Sequence, residues 1–92
     1  MNDYLYHAIE TWDYRDPAGW INFAVQNWNT AFGKVKYAGD KIVFITGGWS
    51  INEEIISAMQ ENVILYSRLW VASMRGGKHV FEWRINEQKT GR

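Results

Sequence analysis

Two glycine-containing segments hold the residues best suited to contact another molecule. The first, Gly47-Gly48-Trp49-Ser50, places a large aromatic side chain at a predicted strand-to-helix junction. Free backbone N–H groups at a helix N-terminus attract anions, but Glu53 and Glu54 already complement the helix dipole there, and no phosphate-loop spacing is present. We interpret the junction as a structural turn, with an anion site as the alternative. Trp12 and Trp49 lie outside the clear apolar faces and are expected to be exposed. Trp49 is the best candidate for binding a partner, because tryptophan is enriched at interface hot spots.

The second segment, Arg75-Gly76-Gly77-Lys78-His79, is a basic, glycine-rich hairpin tip. Such a tip can grip an acidic protein or a nucleic-acid backbone, although charged residues and glycines are also ordinary turn residues. The predicted partner-binding set is Trp49, Arg75, Gly76, Gly77, Lys78 and His79. The alternative, a basic stripe that contacts nucleic acid, consists of Arg68, Arg75, Lys78 and Arg84.

The charge balance favours the protein partner. Ten basic and ten acidic residues give a net charge of zero, whereas nucleic-acid binders usually carry an excess of basic residues. The distribution is uneven: residues 1–16 sum to −3, from four acidic side chains and one basic, and residues 66–84 sum to +3, from four basic and one acidic. Such asymmetry is typical of a binding face, but also of a solvated surface.

Residues for catalysis or metal binding are sparse. The absence of cysteine excludes a disulfide scaffold, a thiolate zinc site and a cysteine nucleophile. His7 and His79 fall in different predicted elements, and no nucleophile motif accompanies them. We therefore predict no catalytic residues, no metal and no cofactor, and favour binding over catalysis. An enzyme is an alternative that requires one histidine to meet a carboxylate in a pocket.

Four elements between residues 17 and 62 position these segments. Asp16 and Pro17 are typical of a helix start, and a broad apolar stripe that runs to Phe32, with Gly33 at its end, predicts a helix over 17–32. Residues 34–38 and 41–46 form a predicted hairpin around Gly39-Asp40. Ser50 and Glu53 match a capping box and predict a helix to about Glu61, with Asn62 at its end.

The last predicted element is a long hairpin over residues 65–85, with Arg75–Lys78 as its turn. The fold class is therefore α+β, as one domain over residues 1–92: a four-stranded antiparallel sheet of two hairpins with two helices on one face, in the order α-β-β-α-β-β. Residues 1–15 fit either a helix or a strand, with a short helix favoured, and residues 87–92 are expected to fray. The strand order is not readable.

The second half of the chain also carries a pattern shared with other proteins. Gly47-Gly48-Trp49-Ser50-x-Asn52-Glu53-Glu54-Ile55-Ile56, then Trp70-x-x-Ser73-x-Arg75-Gly76-Gly77 and Phe81-Glu82, resembles small phage- and prophage-encoded proteins of unknown function. The resemblance covers residues 46–83 and departs at Trp83-Arg84-Ile85. It implies a phage context, in which small single-domain proteins often bind and disable a host factor such as a defence complex, and it supplies no catalytic residue.

Location and assembly follow from composition. The start of the chain lacks a basic-then-apolar leader, and its apolar runs are shorter than the ~20 residues of a membrane span. We expect a cytoplasmic protein, in the host cytoplasm if phage-encoded, without membrane contact. Six tryptophans in a small domain also allow a homodimer, because an apolar patch can stay exposed.

Overall fold

The fold is built from paired helices that alternate with hairpins. A computed structural model describes residues 3–82. Within this range the helices and strands follow in the order α1 (Asp3–Glu10), α2 (Pro17–Asn27), β1 (Lys34–Ala38), β2 (Lys41–Ile45), α3 (Ser50–Glu61), α4 (Val63–Leu69), β3 (Trp70–Met74) and β4 (Lys78–Glu82). The α+β class is confirmed, as are the predicted hairpin β1–β2 and a second hairpin over residues 70–82.

The four strands form one antiparallel sheet in the order β1-β2-β4-β3. Burial alternates along β2, where Ile42 and Phe44 are fully buried. Phe44 contacts Trp28 with ring centroids 4.9 Å apart, and Phe81 of β4 meets Trp20 edge-on at 6.1 Å. The helical layer therefore covers one face of the sheet, and these aromatic rings form the centre of the core.

The predicted element order was wrong in lacking one helix and leaving another undecided. Residues 3–10 form α1, which buries Leu5 and Ile9 at a spacing of four. Residues 63–69 form α4, although residues 65–69 were predicted as part of the long hairpin. The Asn62 side chain caps its first turn by accepting from the backbone N–H of Leu65 at 3.2 Å. Leu65 and Leu69 then share one buried helical face, so this segment follows a helical period.

The start of the predicted helix over 17–32 is confirmed, but the observed helix ends earlier than predicted. Asp16 caps α2 and Pro17 is its first residue, whereas the helix ends at Asn27 and not at residue 32. Trp28 leaves the helix with ψ near 135° and donates its indole N–H to the carbonyl of Ile45, 3.2 Å away. Because the Trp28 side chain bonds to the sheet, residues 29–32 do not continue the helix and form a connecting loop instead.

The predicted capping box at the start of α3 does not form. Trp49 is the N-cap residue without a side-chain capping bond, and Ser50 is already helical. The Glu53 carboxylate accepts instead from the Thr46 hydroxyl at 3.3 Å. The end of α3 at Glu61, with Asn62 as its cap, is confirmed.

Candidate protein-binding surface

The two glycine-containing segments lie side by side at one end of the sheet. Ile45 at the end of β2 pairs with Lys78 at the start of β4, and the Thr46 N–H donates to the Gly77 carbonyl at 3.0 Å. The approach is close: a Cβ added to Gly77 would lie 2.2 Å from the Thr46 hydroxyl oxygen. Gly77 also adopts φ +74°, a left-handed conformation that glycine tolerates best. We call residues 47–50 and 75–79, together with Phe32, the junction–tip surface.

An exposed aromatic pair dominates this surface. The rings of Phe32 and Trp49 stack with centroids 4.7 Å apart and an interplanar angle of 29°. Their exposed fractions are 61% and 37%. The sequence placed Trp49 among the exposed residues but assigned Phe32 to the helical core stripe. The assignment of Phe32 was wrong because α2 ends at Asn27, and the loop that follows turns Phe32 towards solvent.

A buried polar network holds the aromatic pair in place. The Asn52 side chain is fully buried and makes three hydrogen bonds: it accepts from the Asn29 N–H at 2.8 Å and donates to the carbonyls of Asn29 at 2.9 Å and Thr46 at 3.1 Å. The Thr46 hydroxyl in turn accepts from the Gly48 N–H at 3.3 Å. Every polar atom of the Asn52 amide group therefore has a partner, and the junction loop is fixed to the loop after α2.

Sequence reasoning missed Asn52, although a signal was present. Asn52 falls on the apolar stripe of α3, at helical spacing from the buried Ile55, Ile56 and Met59. A polar residue on a buried stripe usually has hydrogen-bond partners within the protein. The position of Asn52 on this stripe was therefore the signal from which an internally hydrogen-bonded amide could have been predicted.

The tip and the neighbouring strand β1 carry cationic residues that form no salt bridge within residues 3–82. Lys34 and Lys78 flank Ile45 on neighbouring strands, and Arg75 follows the end of β3. All three are exposed, and none forms a salt bridge with another residue of the range 3–82. They are therefore free to meet an acidic partner next to the aromatic pair.

His79 has a structural role in the same surface. Its Nδ1 atom lies 2.8 Å from the Ser73 hydroxyl oxygen, which accepts from the Trp70 indole N–H at 2.9 Å. Burial lowers the pKa of His79 below its usual value, although the charge of Glu53 acts in the opposite direction. The hydrogen bond between the Ser73 hydroxyl and the His79 imidazole therefore ties β3 to β4.

The structure separates Arg68 from the predicted basic stripe. Arg68 lies at the end of α4, before β3 begins, whereas Arg75 follows the other end of that strand. Its guanidinium donates to the Tyr14 carbonyl at 3.2 Å, which ties it to the loop between α1 and α2. Arg84 lies outside the described residues. Of the three stripe residues that the structure describes, Arg75 and Lys78 lie together and Arg68 lies apart.

The other sequence candidates lie away from this surface. His7 is exposed on α1, and Trp12, expected to be exposed, is half-buried against Phe23 at 5.0 Å. Among residues 3–82 no group of three or more histidine or acidic side chains is arranged to hold a metal ion. In the same range no helix has both the length and the apolar character that crossing a membrane requires.

Comparisons with protein-family models, with curated proteins and with solved structures find no match to this chain. Functional inference therefore starts from the chemistry of the junction–tip surface.

Proposed function

We propose that this chain is a phage-type accessory protein that binds a host or phage protein through the junction–tip surface, without catalysing a reaction. The observation that carries the proposal is that the junction segment, whose Trp49 stacks on the exposed Phe32, lies beside the tip. The cations of the tip form no salt bridge among residues 3–82. The cytoplasm of the infected host is the proposed location, and a component of a host defence complex is the proposed kind of target.

The physical properties of the surface support a protein partner. Burial of two aromatic rings supplies large contact area at low conformational cost, and the Asn52 network holds one of them, Trp49, on a fixed loop. Pre-organisation of this kind reduces the entropy lost on binding. Arg75 and Lys78 would speed the encounter with an acidic surface and fix its orientation.

Affinity capture from a bacterial host lysate, with and without nuclease, tests this proposal. The tagged protein should retain one dominant protein that survives nuclease treatment. Trp49→Ala should lose it, because the hot-spot ring is gone. Tyr4→Ala is the matched control, since Tyr4 is 81% exposed on α1, and it should capture as well as the unmodified chain. Equal capture by Trp49→Ala, with its circular dichroism spectrum unchanged, would refute the proposed surface.

Nucleic acid is a second candidate partner, favoured by one specific observation. Lys34 and Lys78 lie on either side of Ile45, near the stacked Phe32 and Trp49 rings. Cations beside aromatic rings are typical of single-strand binding surfaces. If the chain binds nucleic acid, its affinity for an oligonucleotide should fall steeply as the salt concentration rises. Salt-insensitive binding, or none, would eliminate it.

A further inference from the structure

The face of the sheet that points away from the helices carries an aliphatic centre between lysines. Strand pairing places its side chains in two rows across the sheet: Lys34, Ile45, Lys78 and Met74 in the first row, then Lys36, Val43, Val80 and Ala72 in the second. We call these eight residues the outer sheet face. Val43, Ile45 and Val80 are half-buried and Met74 is exposed, so apolar surface remains in contact with water.

The outer sheet face is also cationic. Lys34, Lys36 and Lys78 form no salt bridge with any residue in the described range 3–82. Lys41, in the next row, differs because its ammonium lies 2.8 Å from Asp40 and 3.7 Å from Glu82. The uncompensated charge therefore concentrates in the two rows that hold the aliphatic residues.

This charge excludes the simplest use of an open sheet face, a symmetric dimer with the two outer faces in contact. Such a dimer would bring two sets of like-charged lysines together at close range, which is unfavourable. Bases of a nucleic acid would find no aromatic side chain among the eight residues to stack on. An occupant with carboxylates around an aliphatic surface fits both properties.

The helical layer of the same chain has that chemistry. Residues 3–27 and 50–69 contain seven acidic and two basic residues, a sum of −5, whereas residues 34–45 and 70–82 contain five basic and two acidic residues, a sum of +3. At the end of the helical layer lies a groove of about 410 Å³ whose lining includes Glu10, Asp13 and Glu61. Exposed apolar side chains of Tyr14, Val63 and Ile64 line it too.

We propose that the outer sheet face of one molecule docks on this acidic groove of a second copy, so that molecules associate head to tail. Three lysines without a salt-bridge partner among residues 3–82 would meet the carboxylates of Glu10 and Glu61 beside an apolar groove. The third acidic residue of the groove, Asp13, already pairs with Arg15 at 2.8 Å. The two surfaces belong to opposite layers of the fold, so one molecule cannot pair them internally. A contact between two different surfaces is heterologous and propagates into chains or rings.

The small size of the sheet limits the expected affinity of the association between two copies. Four strands of five residues present a face of roughly 14 by 13 Å, from the usual strand spacing and rise. The corresponding area, roughly 180 Å², is far below the roughly 800 Å² of surface that each partner buries in a stable complex. The association is therefore transient, dependent on protein concentration and weakened by salt.

Sedimentation velocity over a concentration series, at low and high salt, is the direct test. The unmodified chain should sediment faster as concentration rises at low salt, and this dependence should disappear at high salt. Two double variants reverse the charges: Lys34→Glu with Lys36→Glu on the sheet, and Glu10→Lys with Glu61→Lys in the groove. Glu10 and Glu61 end α1 and α3, where lysine suits the helix dipole, so these helices should remain folded.

Each double variant alone should weaken association by about tenfold or more, because like charges would then face each other. An equimolar mixture of the two should associate again, since each reversed surface finds its complement in the other variant. Asp3→Lys reverses one acidic charge outside the groove and should associate like the unmodified chain.

A chain that stays monomeric at low salt up to the highest concentration would overturn the proposal. So would a mixture that behaves like its separate components. If the monomer instead binds an oligo(dT) strand, and the sheet variant loses that binding, the occupant is nucleic acid and the proposal is wrong.

Discussion

Replacement of Asn52 by alanine tests how the junction–tip surface is held together. The change removes three hydrogen bonds from a fully buried side chain. The Thr46 carbonyl keeps a partner, because it also accepts from the Trp49 N–H at 3.2 Å. The Asn29 carbonyl likewise keeps the Gly33 N–H as a donor at 3.2 Å, so only the Asn29 N–H loses its partner. A buried polar group without a partner costs about 1–3 kcal/mol, and Asn29 is half-buried, so the free energy of unfolding should fall by about 2 kcal/mol.

Urea denaturation followed by tryptophan fluorescence measures this loss. With a slope of about 1 kcal/mol per M, expected for a small domain, the urea midpoint should fall by about 2 M. Asn27→Ala is the matched control, because among residues 3–82 the exposed Asn27 amide donates only to the Phe23 carbonyl of its own helix. Its cost should stay below about 0.5 kcal/mol. A loss below about 1 kcal/mol for Asn52→Ala would refute the role assigned to the network.

Three further predictions concern turns and titration. Gly77→Ala should lower the melting temperature more than Gly76→Ala, since both need positive φ but only Gly77 lacks room for a Cβ; equal losses would contradict the close approach. Burial, with the 2.8 Å hydrogen bond that the Tyr6 hydroxyl donates to Glu54, raises the pKa of Tyr6 from 10.0 to about 12. The stability that the protonated hydroxyl contributes to the fold is therefore lost as pH rises from 10 to 12. Tyr6→Phe should cost about 1 kcal/mol near neutral pH and remove this loss in alkaline urea titrations; an unchanged alkaline loss would contradict it. His79 has a lowered folded-state pKa, so the unfolded chain binds its proton first and stability falls as pH drops below 6.5. His79→Gln should flatten the pH dependence of unfolding there, and an unchanged slope would refute this.

Local patterns were sufficient for the hairpins and for the start of α2. Gly39 adopts φ +62°, as the predicted glycine-first turn requires, and Asp16 with Pro17 defines a helix start without help from the rest of the fold. The helix α4 was missed because its two buried leucines make one short stripe, which a strand can also carry. Its helical state depends on the Asn62 cap.

The candidate surface was predictable in part. Trp49 and the tip residues were selected for their types, but their proximity depends on the pairing of β2 with β4, which joins segments distant in sequence. Local sequence cannot specify such pairing. Phe32 was assigned to the core for a related reason: α2 ends where Trp28 bonds to the sheet, and that is a tertiary interaction.

The central claim is that the junction–tip surface binds a protein, and a charge reversal within it is the most direct test. Nuclease-treated affinity capture from bacterial lysate should be run with the unmodified chain, Arg75→Glu and Arg15→Glu. Arg15 is the control because it is exposed and pairs only with Asp13, away from the surface, among residues 3–82. The proposal predicts that Arg75→Glu alone loses the dominant captured protein. If Arg75→Glu retains it, or if the unmodified chain holds only nuclease-sensitive material, the claim is contradicted.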